Sequence, residues 1–120
     1  NKFCFNSAMN LSIPIWGKAL NLYRPYLSLR DAYKVLNFVL TKNFYPCEIF
    51  NILSENKTVK QILDIIKKNN YKIKVKYINT KILNQLSYKT SKIKIEKQKL
   101  KLNSKISDDI EYTLKKLKTS

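Results

Sequence analysis

The stretch TVKQILDIIKKNNYKIKVKYI, residues 58–78, decides the fold class, because its apolar residues change period halfway along. Val59, Ile62, Leu63 and Ile66 fall three or four residues apart, which lines them up as one stripe of an amphipathic helix. Thr58 and Gln61 stand at the spacing of a capping box, so the helix starts after Thr58 and runs to about Lys68. From Tyr71 to Ile78 lysines alternate with Ile73, Val75 and Tyr77, the period of two expected of a strand with one wet face. A helix leading into a strand, with no hairpin signal in the chain, implies an α/β mixture.

Upstream of this stretch, Cys47–Leu53 follows Pro46 and reads as a short strand bounded by Ser54-Glu-Asn56. Ser28-Leu-Arg-Asp31 is spaced as a second capping box before a helical run over Ala32–Leu40, in which Val35, Leu36, Val39 and Leu40 share a face. Tyr23–Leu29 reads as extended, and Ile13–Trp16 as an apolar run closed by a turn at Gly17, the one glycine of the chain. Downstream, Asn79–Thr90 reads as a polar loop and Ser91–Lys97 as a short helix or turn. Ser107 is the expected N-cap of a last helix through Lys118, whose early Asp108, Asp109 and Glu111 and late Lys115, Lys116 and Lys118 complement the helix dipole.

A length of 120 residues, 44% of them hydrophobic, fits one small domain or part of one. The chain opens on Asn1 rather than Met, and its first twenty residues lack the ordered regions of a signal peptide, so it is expected to begin inside a longer reading frame. No run approaches the roughly 18 apolar residues of a membrane span, so a soluble, cytoplasmic protein with no membrane partner is expected. Cys4 and Cys47 form no CxxC and no His accompanies them, which leaves no zinc or redox motif and predicts buried thiols in a reducing compartment.

The net charge of +16 attracts polyanions, and a small basic RNA- or ribosome-binding protein is the alternative reading it supports. Against nucleic acid as a partner, Arg24 and Arg30 are the only arginines, the lysines run along the whole chain, and no aromatic-rich RNA-binding motif is present. Such an even enrichment in Lys, Asn and Ile fits an AT-rich genome.

Five blocks in order carry a more specific likeness: Ile13-Pro-Ile-Trp-Gly17; Arg24-Pro-Tyr-Leu-Ser-Leu-Arg-Asp31-Ala; Glu48-Ile-Phe-Asn-Ile52 followed by Asn56-Lys-Thr-Val59; Ser87-Tyr-Lys-Thr-Ser-Lys92; and Ile106-Ser-Asp-Asp-Ile110. Together they resemble the C-terminal part of extended short-chain dehydrogenases/reductases, the NAD-dependent epimerase/dehydratase family. The fourth block is one residue shorter than the family's Ser-Tyr-x-Asp-x-Ser-Lys and lacks its Asp, and in the fifth Asp109 replaces a Gly. The resemblance implies an α/β fold: a C-terminal substrate-binding lobe, residues 1–120, with the outer strand and helices of a Rossmann-type domain whose N-terminal part is absent.

It further implies a nucleotide-sugar substrate and NAD(P) in the intact protein, an isomerase-type enzyme serving polysaccharide biosynthesis. With a single glycine the chain has no Gly-rich turn to seat a dinucleotide, so the cofactor is expected to rest on a missing N-terminal Rossmann half, and the chain alone to bind none and to catalyse nothing. Tyr88 and Lys92 have the Tyr-x-x-x-Lys spacing of the family's catalytic pair but lie in its substrate loop, and are set aside as catalysts. A homodimer is compatible with the likeness.

For substrate binding the resemblance points to Arg24, whose planar fork of donors can hold two phosphate oxygens, with an ion pair to Asp31 as the alternative. Tyr26 lies beside it, or serves in core packing; Pro14 and Trp16 fall where base and ribose are lined. Lys81, with Asn84, stands near a phosphate-holding Arg of relatives, and Ser87 and Tyr88 lie near the sugar. Asn51 and Thr58 are expected to be strand-end and cap residues. A degenerate relative, kept as a binding or dimerisation module, is a third reading.

Overall fold

Helix α3, Val59–Lys68, forms where the apolar stripe places it, and both halves of its capping box are made. The Gln61 amide donates to Thr58 Oγ1 at 3.1 Å and the Thr58 amide to Gln61 Oε1 at 2.9 Å, so two helix-terminal donors are satisfied by side chains. The computed structural model describes residues 2–69, 71–79 and 86–118. Within them the remaining helices are α1, Lys2–Ala8; α2, Leu29–Lys42; α4, Ile93–Glu96; and α5, Ile106–Lys118. The strands are β1, Ser12–Trp16; β2, Tyr23–Tyr26; β3, Glu55–Thr58; and β4, Lys74–Ile78.

The four strands make two separate pairs. β1 runs parallel to β4, with Ile13 opposite Val75 and Trp16 opposite Ile78. Pro14 is tolerated because a two-stranded sheet has only edge strands, where a missing N–H need not break a ladder bond. β2 runs antiparallel to β3, with Arg24 opposite Lys57 and Tyr26 opposite Glu55.

Burial follows from these pairings. Ile13 and Ile15 point from β1 onto Leu63 of α3, joined by Ile73 and Val75. The opposite side of α3 puts Ile62 and Ile66 against Cys4 of α1 and Ile106, Ile110 and Leu114 of α5. A third cluster, Val35, Ile95 and Leu102, joins α2 to α4 and the segment after it. Among the described residues no helix is long and apolar enough to cross a membrane, and no group of residues could hold a metal ion.

Five sequence expectations change. Residues 47–53 join neither sheet; the strand lies just beyond them, at Glu55–Thr58, because only there does the backbone meet a partner, β2. On α2 the expected shared face divides: Val35 is buried and Val39 packs beside it, whereas Leu36 and Leu40 point outward. The capping box at Ser28 is half made: Ser28 Oγ accepts from the Arg30 amide, but the Asp31 carboxylate turns inward to other partners. Ser107 lies inside the first turn of α5, and the cap comes from afar, the Ile106 amide donating to Glu55 Oε2 at 2.8 Å. The thiol reading holds for Cys4, which is buried and whose pKa burial pushes up, but Cys47 is exposed, on a loop left without a strand partner.

Asp31 is the main polar tie. Its fully buried carboxylate accepts from Ser54 Oγ at 2.7 Å, from the Ser104 amide at 3.1 Å and hydroxyl at 2.8 Å, and from Lys34 Nζ at 3.0 Å. One side chain therefore fastens α2 to the segment before β3 and to the one before α5.

The assembly is a slab of 46 × 39 × 18 Å with a radius of gyration of 16.6 Å. A compact domain of this length would have about 14 Å.

Candidate functional site

A cleft of about 370 Å³ opens at the carboxyl ends of the parallel strands β1 and β4. Pro14, Ile15 and Trp16 of β1 and Ile78 of β4 form one side; Leu22, Arg24 of β2 and Val59 at the start of α3 form the other; Lys2 and Phe3 of α1 complete it with Ala19. Ligands of open α/β sheets characteristically bind beyond the carboxyl ends of the strands. The wall is mostly apolar, and among the described residues its two charged members, Lys2 and Arg24, are both cations. An aromatic indole face, a proline ring and two cations suit a ligand with a flat apolar part joined to an anion.

Arg24 is held from the side by the segment before α4. Its Nη1 donates to the carbonyls of Tyr23, at 2.9 Å, and Leu86, and its guanidinium lies 5.2 Å from the centre of the Tyr88 ring. That segment is itself tied to β2: the Tyr23 amide donates to Ser87 Oγ at 3.0 Å and the Tyr88 amide to the Tyr23 carbonyl at 3.3 Å. Arg24 makes no ion pair with Asp31, whose carboxylate is occupied by Ser54, Ser104 and Lys34. Nor does α3 offer a bare terminus to the cleft: the Lys60 amide donates to the Leu20 carbonyl and that of Gln61 to Thr58.

Of the residues named from the sequence, Pro14, Trp16 and Arg24 thus line one cleft. Ser87 and Tyr88 lie next to Arg24 as its tether and platform rather than in the wall. Tyr26 packs against the cluster of Cys4, Ile62 and Ile66; burial pushes its phenol pKa up, and the charge of Arg24 partly offsets this. Lys81 and Asn84 lie outside the described residues. Thr58 is a cap as expected, while Asn51 sits in the unpaired run. Lys92 donates to the carbonyls of Ser54, at 3.0 Å, and Leu102 and pairs with Glu96. Sequence reading misses Lys2, Phe3, Ile15, Ala19, Leu22, Val59 and Ile78 as wall residues; Ile78 reaches the cleft because β1 and β4 pair across 62 positions.

The described residues offer no glycine turn for the pyrophosphate of a dinucleotide. Gly17 has no positive φ, and a Cβ added to it would meet Tyr77 Cδ1 at 3.7 Å, an ordinary contact, so it marks no place where a backbone must approach a pyrophosphate.

The arrangement is that of one portion of the α/β fold seen in sugar-nucleotide epimerase structures. A candidate epimerase from Burkholderia cenocepacia J2315 superposes with a TM-score of 0.85 at 17% identity, over 99% of this chain and 40% of that one. The UDP-glucose 4-epimerase of Thermus thermophilus, solved in complex with NAD, gives 0.77 at 14% identity over 99% and 39%. A GDP-D-glycero-L-gluco-heptose synthase from Campylobacter jejuni, solved in the presence of NADPH, gives 0.65 at 15% identity over 91% and 33%. At these identities the likeness establishes the fold, and the chain spans less than half the length of each of these structures. No protein-family model and no curated protein matches the chain.

Proposed function

We propose that this chain is the nucleotide-sugar-binding side of an NAD-dependent sugar epimerase or dehydratase, and that the cleft between β1, β2 and α3 takes the nucleotide. In this reading the Arg24 fork receives phosphate oxygens, Lys2 adds a point charge, and the Trp16 and Pro14 rings pack on base and ribose. Hydride chemistry belongs to NAD(P) on a separate dinucleotide-binding part, and the chain alone turns over nothing. The carrying observation is the cleft itself: an indole, a proline ring and two cations, with no carboxylate among the described wall residues. The names of two of the fold neighbours, a UDP-glucose epimerase and a GDP-heptose synthase, support the substrate class.

Trp16 is the only tryptophan, so its fluorescence reports on the cleft directly. Titration with UDP-glucose and with GDP-mannose is expected to give a saturable change for at least one of them below about 1 mM, an affinity of about −4 kcal/mol or better. Glucose alone should give none. No saturable change with either nucleotide-sugar, or an equal response to inorganic pyrophosphate, would refute the assignment.

A further inference from the structure

Three apolar side chains stand out of the protein where α1 turns into β1. Phe5, Met9 and Leu11 are 47%, 44% and 51% exposed. Phe5 and Met9 lie one helical turn apart, the Met9 amide donating to the Phe5 carbonyl at 2.9 Å, so they share a face. The Leu11 amide folds back to the Asn6 carbonyl at 2.7 Å, and Asn6 Nδ2 donates to the Ser12 carbonyl at 2.8 Å. The turn is pinned by these bonds, and its apolar side chains are presented to solvent.

Cations surround this tip. Lys74 stands opposite Ser12 at the start of β4, and its Nζ donates to the Asn10 carbonyl at 3.4 Å. Lys72, two residues earlier, is exposed as Lys74 is, and Lys67 and Lys68 close α3 just before that segment. The Tyr71 hydroxyl donates to the Leu114 carbonyl at 3.0 Å, which brings the end of α5, with exposed Lys115 and Lys116, to the same part of the molecule. The carboxylates of α3 and the later turns of α5 are Asp64, half-buried, and Glu111, paired with Lys115 at 2.6 Å. Lysines in the last turn of a helix complement its dipole, and lysines on an edge strand deter pairing with another sheet. Neither reason calls for a phenylalanine, a methionine and a leucine exposed among them.

We infer that this end of the chain seats on an anionic lipid surface, with Phe5, Met9 and Leu11 entering the boundary of the acyl chains and the lysines around them meeting headgroup phosphates. Apolar side chains within a ring of lysines match a bilayer interface, where burial of apolar area and attraction to anionic lipid act together. RNA suits the tip less: it is bound by stacking rings and arginine planes, and the tip offers one ring and no arginine. Sequence reading expects no membrane partner because no span is present, but contact from one side needs no span. The cleft lies at the other, carboxyl ends of β1 and β4, so a chain seated this way keeps it open to water. The inference stands apart from the proposed function.

The test is co-sedimentation of the full chain with vesicles of phosphatidylcholine and phosphatidylglycerol, roughly 2:1, and with vesicles of phosphatidylcholine alone. Binding to the anionic vesicles should be about tenfold or more tighter than to the neutral ones. Met9→Gln with Leu11→Gln keeps the charge and should weaken that binding about tenfold. Lys72→Gln with Lys74→Gln should weaken it about twentyfold, from roughly fivefold per lysine. Lys97→Gln with Lys101→Gln, around the segment packed against α2, removes the same charge and should weaken it less than about threefold. All six positions are exposed, and circular dichroism of each variant confirms that the fold is kept. The inference is overturned by equal affinity for the two kinds of vesicle, by binding to neither, or by a tip variant that binds as the parent does. Equal losses from the two lysine pairs also overturn it, since they leave only bulk charge. So does tighter binding to a single-stranded RNA that the lysine pair at the tip reduces and the Met9 and Leu11 pair does not, which would assign this surface to nucleic acid.

Discussion

Ser54 Oγ donates to Asp31 Oδ2 at 2.7 Å inside the protein, 23 residues away in sequence and with both residues buried. The same Ser54 oxygen accepts from the amide of Ser28, the N-cap of α2, at 2.9 Å, so helix start, loop and carboxylate are linked in one chain of bonds. Asp31→Ala would leave the Ser54 and Ser104 donors without their acceptor in the interior. We expect a loss of about 3 kcal/mol, read as a lowered urea midpoint with an unchanged slope. Ser54→Ala removes one bond of the set and should cost about 1 kcal/mol.

The same carboxylate sets the acid limit. Burial would by itself raise the pKa of Asp31, but the hydrogen bonds from Ser54, Ser104 and Lys34 outweigh it and hold the group below the ordinary carboxylate value. A depressed folded-state pKa means that the stabilisation is complete above the unfolded value of about 3.9 and is lost as pH falls through the lower folded value. Helical circular dichroism followed downward from pH 6 should therefore hold to about pH 4 and fall below it. In Asp31→Asn that acid limb should be shallower, because the group no longer titrates.

Thr58 both ends β3 and caps α3, so its hydroxyl supports the element that all of β1, β4, α1 and α5 pack on. Thr58→Ala is expected to lower stability by about 1 kcal/mol, and Thr58→Ser by much less, since the oxygen remains. Thermal melts of the two variants side by side check this; equal losses would mean that the threonine methyl, not the cap, matters.

What was legible in the sequence is what local chemistry determines. The stripe and capping box of α3 and the alternation of β4 need only neighbours within a few residues; α3 stands as read, while β4 begins at Lys74 rather than Tyr71 and leaves Tyr77 exposed on the face expected to be dry. The run 47–53 failed as a strand because β structure requires a partner, which sequence composition does not supply. α2 has apolar residues around much of its circumference, so periodicity could not say that Val35 faces inward and Leu36 outward. The cap of α5 by Glu55 and the hold on Arg24 by Leu86 and Tyr88 join residues 51 to 64 positions apart. In the cleft, Pro14, Trp16 and Arg24 were readable as a family pattern, while the walls around them come from α1, the turn after β1, the start of α3 and the pairing of β1 with β4, which join residues distant in sequence.

Arg24 is aimed by its neighbours. Its Nη1 is used by two backbone carbonyls and its face rests on Tyr88, which fixes the plane of the guanidinium before any ligand arrives. A planar fork so held can grip two phosphate oxygens, whereas a lysine at the same place would be a mobile point charge without the carbonyl anchors. Arg24→Lys is accordingly expected to weaken nucleotide-sugar binding about tenfold, or about 1.4 kcal/mol. Tyr88→Ala removes a partly exposed cation–π contact of about 0.5–1 kcal/mol, so affinity should fall about two- to fivefold, while Tyr88→Phe keeps the ring and should bind nearly as the parent does. Trp16 fluorescence titrations of the three variants, with circular dichroism to confirm the fold, should rank affinity in the order parent, Tyr88→Phe, Tyr88→Ala, Arg24→Lys. If Arg24→Lys bound as tightly as the parent, the role of Arg24 would be reduced to bulk charge, since lysine preserves the charge and removes only the fork.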